Sequence, residues 1–299
     1  MQITIGHLNP PGSAYDQGAK VFKQILERMT DGQIKVRIIS GLNLSGIELI
    51  RAVQTGEYDI GITSSSSLGN LVPIVNAFDF PYLFRSHEHA YRVLDGEIGD
   101  FVNEEIDLVG LKNLAWWENG YLHITTAETP IIEPENLRGL KIRTMDNQIH
   151  RTLFHVWGAN PVSVPYPQLY EALRNGTVDG QENSLGNIVP NRFYEVQREL
   201  TLTGHIYNPA LFVMNKGKYD HFSLDIKIKI SDASRIARDF ERDFLRRNNP
   251  IYLQIAHQNE MHILTETDID FPAFVRTSKK VYTQLGEPYK SIPRKIRAL

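Results

Sequence analysis

Cysteine is absent from this 299-residue chain. That excludes disulfides, thiolate metal sites and a cysteine nucleophile. It suits an exported protein that avoids stray thiols, and equally the many cytosolic proteins that lack cysteine. No apolar run approaches the roughly 18–20 residues that a membrane-spanning helix needs. An excess of charge of one sign is also missing. A formal net charge of −3 gives neither nucleic acid nor an anionic membrane a reason to bind. The chain carries no G-x-S-x-G elbow, P-loop, G-x-G-x-x-G or H-E-x-x-H, so no common enzyme or cofactor signature is on show. No leader pattern is visible, because Met1 runs straight into the strand-like Gln2-Ile3-Thr4-Ile5. The expectation at this point is either a cytosolic protein or a processed one whose leader is gone.

What is present is ordinary for a soluble globular protein: 41% apolar and 22% charged residues in a chain long enough for two lobes, each with its own core. The first third alternates strand and helix signals. Ile3 to Gly6 reads as a strand, and Ser13 caps a helix whose Val21, Phe22, Ile25, Leu26 and Met29 recur at helical spacing. "TDGQIKVRIIS" is a turn and a strand, Gly46 to Thr55 a short helix, and "GEYDIGIT" a turn and strand again. A helix is expected over Ser86 to Asp107. From about Leu114 the same β-α-β-α-β order returns. "NLAWWENGYLHITT" reads as a strand pair or one long strand bent at Gly120, and "LRGLKIRT" as a strand. A helix over Gln148–Trp157, extended "NPVSVPY", a helix over Gln168–Arg174 and "GTVDGQENS" follow. Two such blocks predict an α/β protein of two similar lobes. Ser231 to Ile263 is a long polar helical stretch suited to bracing two lobes, with Pro250 expected to kink or divide it.

Three places invite chemistry. His87 and His89 in "SHEHA" are spaced i, i+2, which points two imidazoles in different directions on a helix and reads as a solvated helix start, not a metal site. "TSSSS", Thr63 to Ser67, follows the strand Ile60–Ile62. It can offer hydroxyls and backbone N–H groups to an anion, serve as a polar loop, or supply a serine nucleophile if a histidine and an acid lie nearby in space. Arg143 closes the strand Leu140–Ile142 just before Asp146-Asn147-Gln148. An arginine at a strand end faces either solvent, in alternation with Lys141, or a cleft.

Taken in order, "NLRGLKIRTM", "GANPVSVPYPQLYEAL", "NGTVDGQEN" and "FYEVQRELTLTGH" resemble the central block of TRAP transporter substrate-binding proteins, periplasmic receptors of the dicarboxylate-receptor type. The likeness extends back through "TDGQIKVRI", "GIELIRAVQTGEYDIGI" and "AFDFPYLF", over roughly residues 1 to 215. It implies a two-lobed periplasmic-binding-protein-like fold with a ligand cleft between the lobes and a long bracing helix. Carried over residue by residue, it makes Arg143 the two-pronged partner of a ligand carboxylate, gives that carboxylate a second donor in Asn183, and packs Tyr166 on the ligand. Planar, permanently charged guanidinium suits that role independently, since it matches a carboxylate with two parallel hydrogen bonds. The sequence departs from the family pattern at Leu122, where many members carry a second arginine after N-G-x.

The resulting expectations are specific. The ligand is a small organic acid, with a monocarboxylate of apolar or aromatic body (a 2-oxo, 2-hydroxy or amino acid) favoured by Leu122 and Trp117. A sugar acid is the rival, because Asp146, Asn183 and the serines can hold hydroxyls, and a serine hydrolase is the rival class. Ser64, Ser65, Asn9, Tyr15 and Asn208 complete the candidate ligand set. Asp146 serves either a ligand hydroxyl or amine, or the helix that follows as its N-cap. The first lobe is expected at 1–121 plus 208–249 and the second at 122–207 plus 250–299. No cofactor, metal or nucleic acid is expected. Membrane permease subunits of a TRAP transporter are the expected protein partners, the periplasm the compartment, and a monomer the family default.

Overall fold

The computed structural model describes residues 1–285 and 291–299. Positions 286–290, assigned above to the second lobe, lie outside the described residues. In chain order the elements are β1 (Gln2–His7), α1 (Ala14–Met29), β2 (Lys35–Ile39), α2 (Gly46–Thr55), β3 (Ile60–Ser64), α3 (Ser65–Leu68), α4 (His87–Leu94) and α5 (Glu97–Asp107). Then come β4 (Leu111–Tyr121), β5 (His123–Thr126), β6 (Lys141–Thr144), α6 (Gln148–Val156), β7 (Asn160–Ser163), α7 (Leu169–Arg174), β8 (Gly180–Asn183) and α8 (Leu185–Ile188). The chain closes with β9 (Glu199–Thr201), β10 (Tyr207–Asn215), α9 (Lys216–His221), α10 (Leu224–Gln258), β11 (His262–Leu264), α11 (Phe271–Gln284) and α12 (Ser291–Ala298).

Among the described residues the strands form two sheets, in the orders β2-β1-β3-β10-β4 and β11-β9-β5-β8-β6-β7. The chain passes from the first to the second between Tyr121 and His123, where Gly120 bends the backbone at φ +104°, a conformation that favours glycine. It returns at Tyr207. Parallel pairs β1–β2, β1–β3, β6–β7 and β6–β8 bring those strands' carboxyl ends to one edge of each sheet, and antiparallel β10 joins β3 to β4.

Local signals account for most helix starts. The Ser13 hydroxyl accepts from the Asp16 N–H to begin α1, and Ser45 with Glu48 forms a reciprocal capping box on α2. The first sheet buries Ile3, Ile5, Phe22, Leu26, Trp117 and Phe212 beneath α1 and α10, with Trp117 stacked on Phe212 at 4.8 Å between centroids. The second buries Leu169, Val178, Leu200 and Tyr252 against the far end of α10. Each such side chain contributes about 1.5–3 kcal/mol by leaving water. Long α10 touches both cores, as a brace must.

Two expectations change. The single helix over Ser86–Asp107 is two helices, α4 and α5, separated at Asp95-Gly96. The Asp95 carboxylate accepts two hydrogen bonds from Arg242 of α10, at 2.6 and 2.9 Å, so the break is tied to the brace. Pro250 does not divide the long helix, which runs from Leu224 to Gln258. The proline lies on the exposed face, where the carbonyl it leaves without an amide partner is open to water.

Candidate functional site

A cavity of about 280 Å³ lies between the two sheets. Its walls come from the strand ends and the loops that follow them: Asn9 and Tyr15 after β1, Ser45 to Ile47 at the start of α2, Ile62 to Ser64 on β3, and Asn119 on β4. The second sheet adds Arg143, Met145 and Asp146, then Ser163 to Tyr166, and finally Asn183 and Asn187. This is where open α/β sheets place ligands, beyond the carboxyl ends of their strands.

Arg143 is 5% exposed. Its Nε donates to the Val164 carbonyl at 3.0 Å, which fixes the plane of the guanidinium. No carboxylate pairs with it among the described residues, and its two Nη groups have no partner there. Burial pulls its pKa below the ordinary value, an effect that Glu182 partly offsets. The guanidinium remains a cation at any neutral pH. A buried charge without a counter-ion is costly unless something brings one. Asn183 stands ready beside it. Its Oδ1 accepts from Asn187 Nδ2 at 2.7 Å and from the Ser184 N–H at 3.3 Å, leaving its own NH2 to donate. The Tyr166 hydroxyl accepts from Asn191 Nδ2 at 2.6 Å, so its proton is free as well.

Asparagines line the rest. Asn187 accepts from Asn9 at 2.9 Å and donates to Asn119 at 2.8 Å, and Asn119 donates to Asn208 at 3.0 Å. The Asn9–Asn187 bond crosses from the first sheet's side to the second's. So does the contact from Asn70 Nδ2 to the Asp146 carbonyl, at 3.2 Å.

The candidate residues therefore divide. Arg143, Asn183, Tyr166, Asp146, Ser64, Asn9 and Tyr15 share the cavity wall. Leu122, Trp117, Ser65 and Asn208 do not. Leu122 is fully buried, its amide bonded to the Ile206 carbonyl, so it brings neither charge nor apolar surface to the cavity. Trp117 lies one pleat too deep: Asn119, two residues on along the same strand face, reaches the cavity instead. Ser65 and Asn208 sit behind the wall, where Asn208 accepts from the Ser64 hydroxyl at 2.6 Å. Asp146 is not the cap of α6. Asn147 is, accepting from the Ile149 N–H at 2.7 Å, while Asp146 pairs with Arg151 at the rim. Asn119, Asn187, Ser163 and Met145 were not anticipated. The Asn-Gly pair at 119–120 was the one available signal, since such a pair marks a sharp bend at a strand end.

Behind the wall, Ser66 Oγ lies 3.3 Å from His150 Nε2, and His150 Nδ1 lies 2.6 Å from Glu182. That is the order of a serine nucleophile, its base and an acid. The hydrogen bonds and burial of these groups run against that use. Ser66 is buried away from the cavity and gives its proton to Asp79 at 2.9 Å. Burial opposes the charge on His150, but Glu182 and Asp79 overcome it and lift its pKa to about 10, so the ring has no lone pair to take a proton.

Two α/β lobes flanking a polar cavity with one buried, unpaired cation in its wall have the architecture of a two-lobed binding protein of the periplasmic-receptor class. The chain belongs to the DctP family, described as bacterial extracellular solute-binding protein, family 7, whose profile matches residues 5–288. It is 32% identical over 251 residues to the 2,3-diketo-L-gulonate-binding periplasmic protein YiaO of Escherichia coli K12, covering 84% of this chain and 76% of that one. A TRAP periplasmic solute-binding protein from Polaromonas sp JS666 bound to D-erythronate superposes with a TM-score of 0.96, at 32% identity, over 100% of this chain and 99% of the other. One from Sulfurospirillum deleyianum with bound succinate superposes at 0.93, with 29% identity, over 99% and 98%.

Proposed function

We propose that this chain is the solute receptor of a TRAP-type transporter and that it captures a hydroxylated monocarboxylate, a sugar acid, through Arg143. The observation that carries this reading is the guanidinium itself: one buried cation, held by Val164, with two free prongs, in a wall whose other polar side chains are neutral except for Asp146, which pairs with Arg151 at the rim. A single carboxylate satisfies Arg143 and the Asn183 NH2, while hydroxyls meet Asn9, Ser64, Ser67, Asn119 and Tyr166. A second carboxylate finds no second cation among the described residues of the wall, and burying it unpaired costs several kcal/mol. A cavity of about 280 Å³ lies at the small end of ligand pockets, roughly 300–1,000 Å³, which suits a short acid. The relative that binds 2,3-diketo-L-gulonate and the structural neighbour bound to D-erythronate support the same class.

An aromatic or branched body loses the two residues that first favoured it, since Leu122 and Trp117 are absent from the cavity wall. Ile47, Ile62, Met145 and Val164 do line it, and they favour a second reading in which a short aliphatic 2-hydroxy acid binds. No reaction is catalysed. The lobes are residues 1–121 with 208–249 and 122–207 with 250–299, hinged where the chain crosses between the sheets. The receptor works in the periplasm and hands its cargo to membrane permease subunits driven by an ion gradient. Closure requires a ligand that touches both lobes, because only differential contact shifts the population. A melting-temperature screen with sugar acids, aliphatic and aromatic monoacids and C4-dicarboxylates tests the class. Sugar acids should give the largest shifts, and a larger shift from succinate or malate overturns the single-cation argument.

A further inference from the structure

The cluster beneath the cavity floor holds charge that binding must contend with. Two carboxylates lie just behind the wall. Asp79 accepts from Asn208 Nδ2 at 2.8 Å, and Asn208 in turn bonds the cavity residue Ser64 at 2.6 Å. Glu182 precedes the cavity residue Asn183 on β8. Both carboxylates are fully buried. Left alone, they would set two negative charges behind the wall of the place where an anion must bind, in a medium where charge is poorly screened.

His150 of α6 sits between them, and hydrogen-bond accounting settles its state. The one proton of Ser66 Oγ goes to Asp79 Oδ2 at 2.9 Å. Its lone pairs accept from Asn208 Nδ2 at 2.7 Å and from His150 Nε2 at 3.3 Å. His150 Nδ1 faces a Glu182 oxygen at 2.6 Å. Both ring nitrogens therefore donate, and a ring that donates twice is an imidazolium. Three further groups face the cluster: the Arg143 guanidinium, whose charge Glu182 favours, His205 and Asn147. His205 Nε2 lies 2.9 Å from the second Glu182 oxygen, and its Nδ1 lies 2.7 Å from Thr203 Oγ1. With the Thr203 hydroxyl donating to that nitrogen and Nε2–H donating to Glu182, His205 is neutral. Asn147 donates to Asp79 at 2.9 Å, and Leu122 adds no charge.

We propose that His150 is a specificity-determining residue for acids: a fixed buried cation that offsets one of the two negative charges of Glu182 and Asp79 and so leaves the Arg143 site more attractive to an anion. This rests on the reading of Arg143 as the carboxylate anchor, and goes further by assigning the anion selectivity to a side chain that never touches the ligand. Its charge persists through neutral pH, because burial, which disfavours it, is outweighed by Glu182 and Asp79.

The test has two arms. In the first, ring-¹⁵N NMR of the ligand-free protein at pH 8 should show one imidazolium with both nitrogens protonated, absent from the spectrum of His150→Gln. A neutral imidazole at His150 overturns the proposal whatever the protein binds. In the second, D-erythronate is titrated by calorimetry into wild type, His150→Gln and the double variant His150→Gln/Glu182→Gln. The single variant should bind at least tenfold more weakly, and the double variant should recover most of that loss, because removing the carboxylate removes what the imidazolium offsets. A purely structural role predicts a larger loss in the double variant, and that result, or equal affinity in the single variant, overturns the proposal. If wild type ignores D-erythronate and every other acid of the screen, the proposed function fails while the NMR arm still judges the charge.

Discussion

Replacing Arg143 by lysine separates charge from geometry. The guanidinium is 5% exposed and anchored through Nε to the Val164 carbonyl at 3.0 Å, so its plane, and with it the direction of the two Nη prongs, is set before any ligand arrives. A lysine keeps the positive charge. It gives up the Val164 anchor and offers a single ammonium where two parallel donors stood. One charge-assisted hydrogen bond is worth about 1.5–3 kcal/mol, so Arg143→Lys should weaken binding by roughly ten- to 150-fold. Arg143→Ala removes the counter-ion altogether, and the stranded carboxylate should cost about 3–5 kcal/mol, more than two orders of magnitude. Calorimetric titration of the acid that gives the largest melting shift measures both, with circular dichroism checking the fold. Wild-type affinity in Arg143→Lys would refute the two-pronged geometry. Wild-type affinity in Arg143→Ala would remove Arg143 from the site.

The remaining predictions address closure, pH and the buried residues. Small-angle scattering should give a smaller radius of gyration at ligand saturation, since a cavity walled by both sheets closes by hinge motion; an unchanged profile argues for a rigid receptor. Glu241 on α10 is fully buried, and burial together with the neighbouring Glu118 raises its pKa well above the usual value. Its stabilising contribution is complete below about pH 4.5 and is lost as the pH climbs toward the raised folded value. Glu241→Gln, which can keep the bond from the Glu118 N–H, should therefore raise Tm at pH 8 by roughly 2 °C or more and change it little at pH 4.5. A gain confined to low pH would contradict the assignment. Trp117→Ala should cost about 3–5 kcal/mol of stability through lost packing on Phe212, yet leave the affinity of the folded fraction near wild type. A selective loss of affinity would return Trp117 to the site.

How much of this was legible in the sequence follows from how local each signal is. The β-α-β-α-β blocks could be read because capping serines at 13 and 45 and apolar spacing are local features. Arg143 is singled out through the resemblance that "NLRGLKIRTM" carries; its local setting at a strand end leaves solvent and cleft both open. Asn119 and Asn187 could not be read, since which pleat of β4 and which turn of α8 reach the cavity depends on how the sheets meet. The same ignorance placed Trp117 and Leu122 in the site. The break at Asp95-Gly96 depends on Arg242, 147 positions away. The His150 cluster draws partners from positions 66, 79 and 182, and no periodicity along one segment brings those together.

The central claim is that Arg143 and Asn183 receive the ligand's carboxylate. A crystal structure of the protein with the sugar acid that most raises its melting temperature tests this most directly. The account predicts both carboxylate oxygens within about 3 Å of the Arg143 guanidinium, one of them also accepting from Asn183 Nδ2, and the sugar hydroxyls against Asn9, Ser64 and Asn119. A ligand bound with its carboxylate elsewhere, Arg143 still bonded only to Val164, contradicts it.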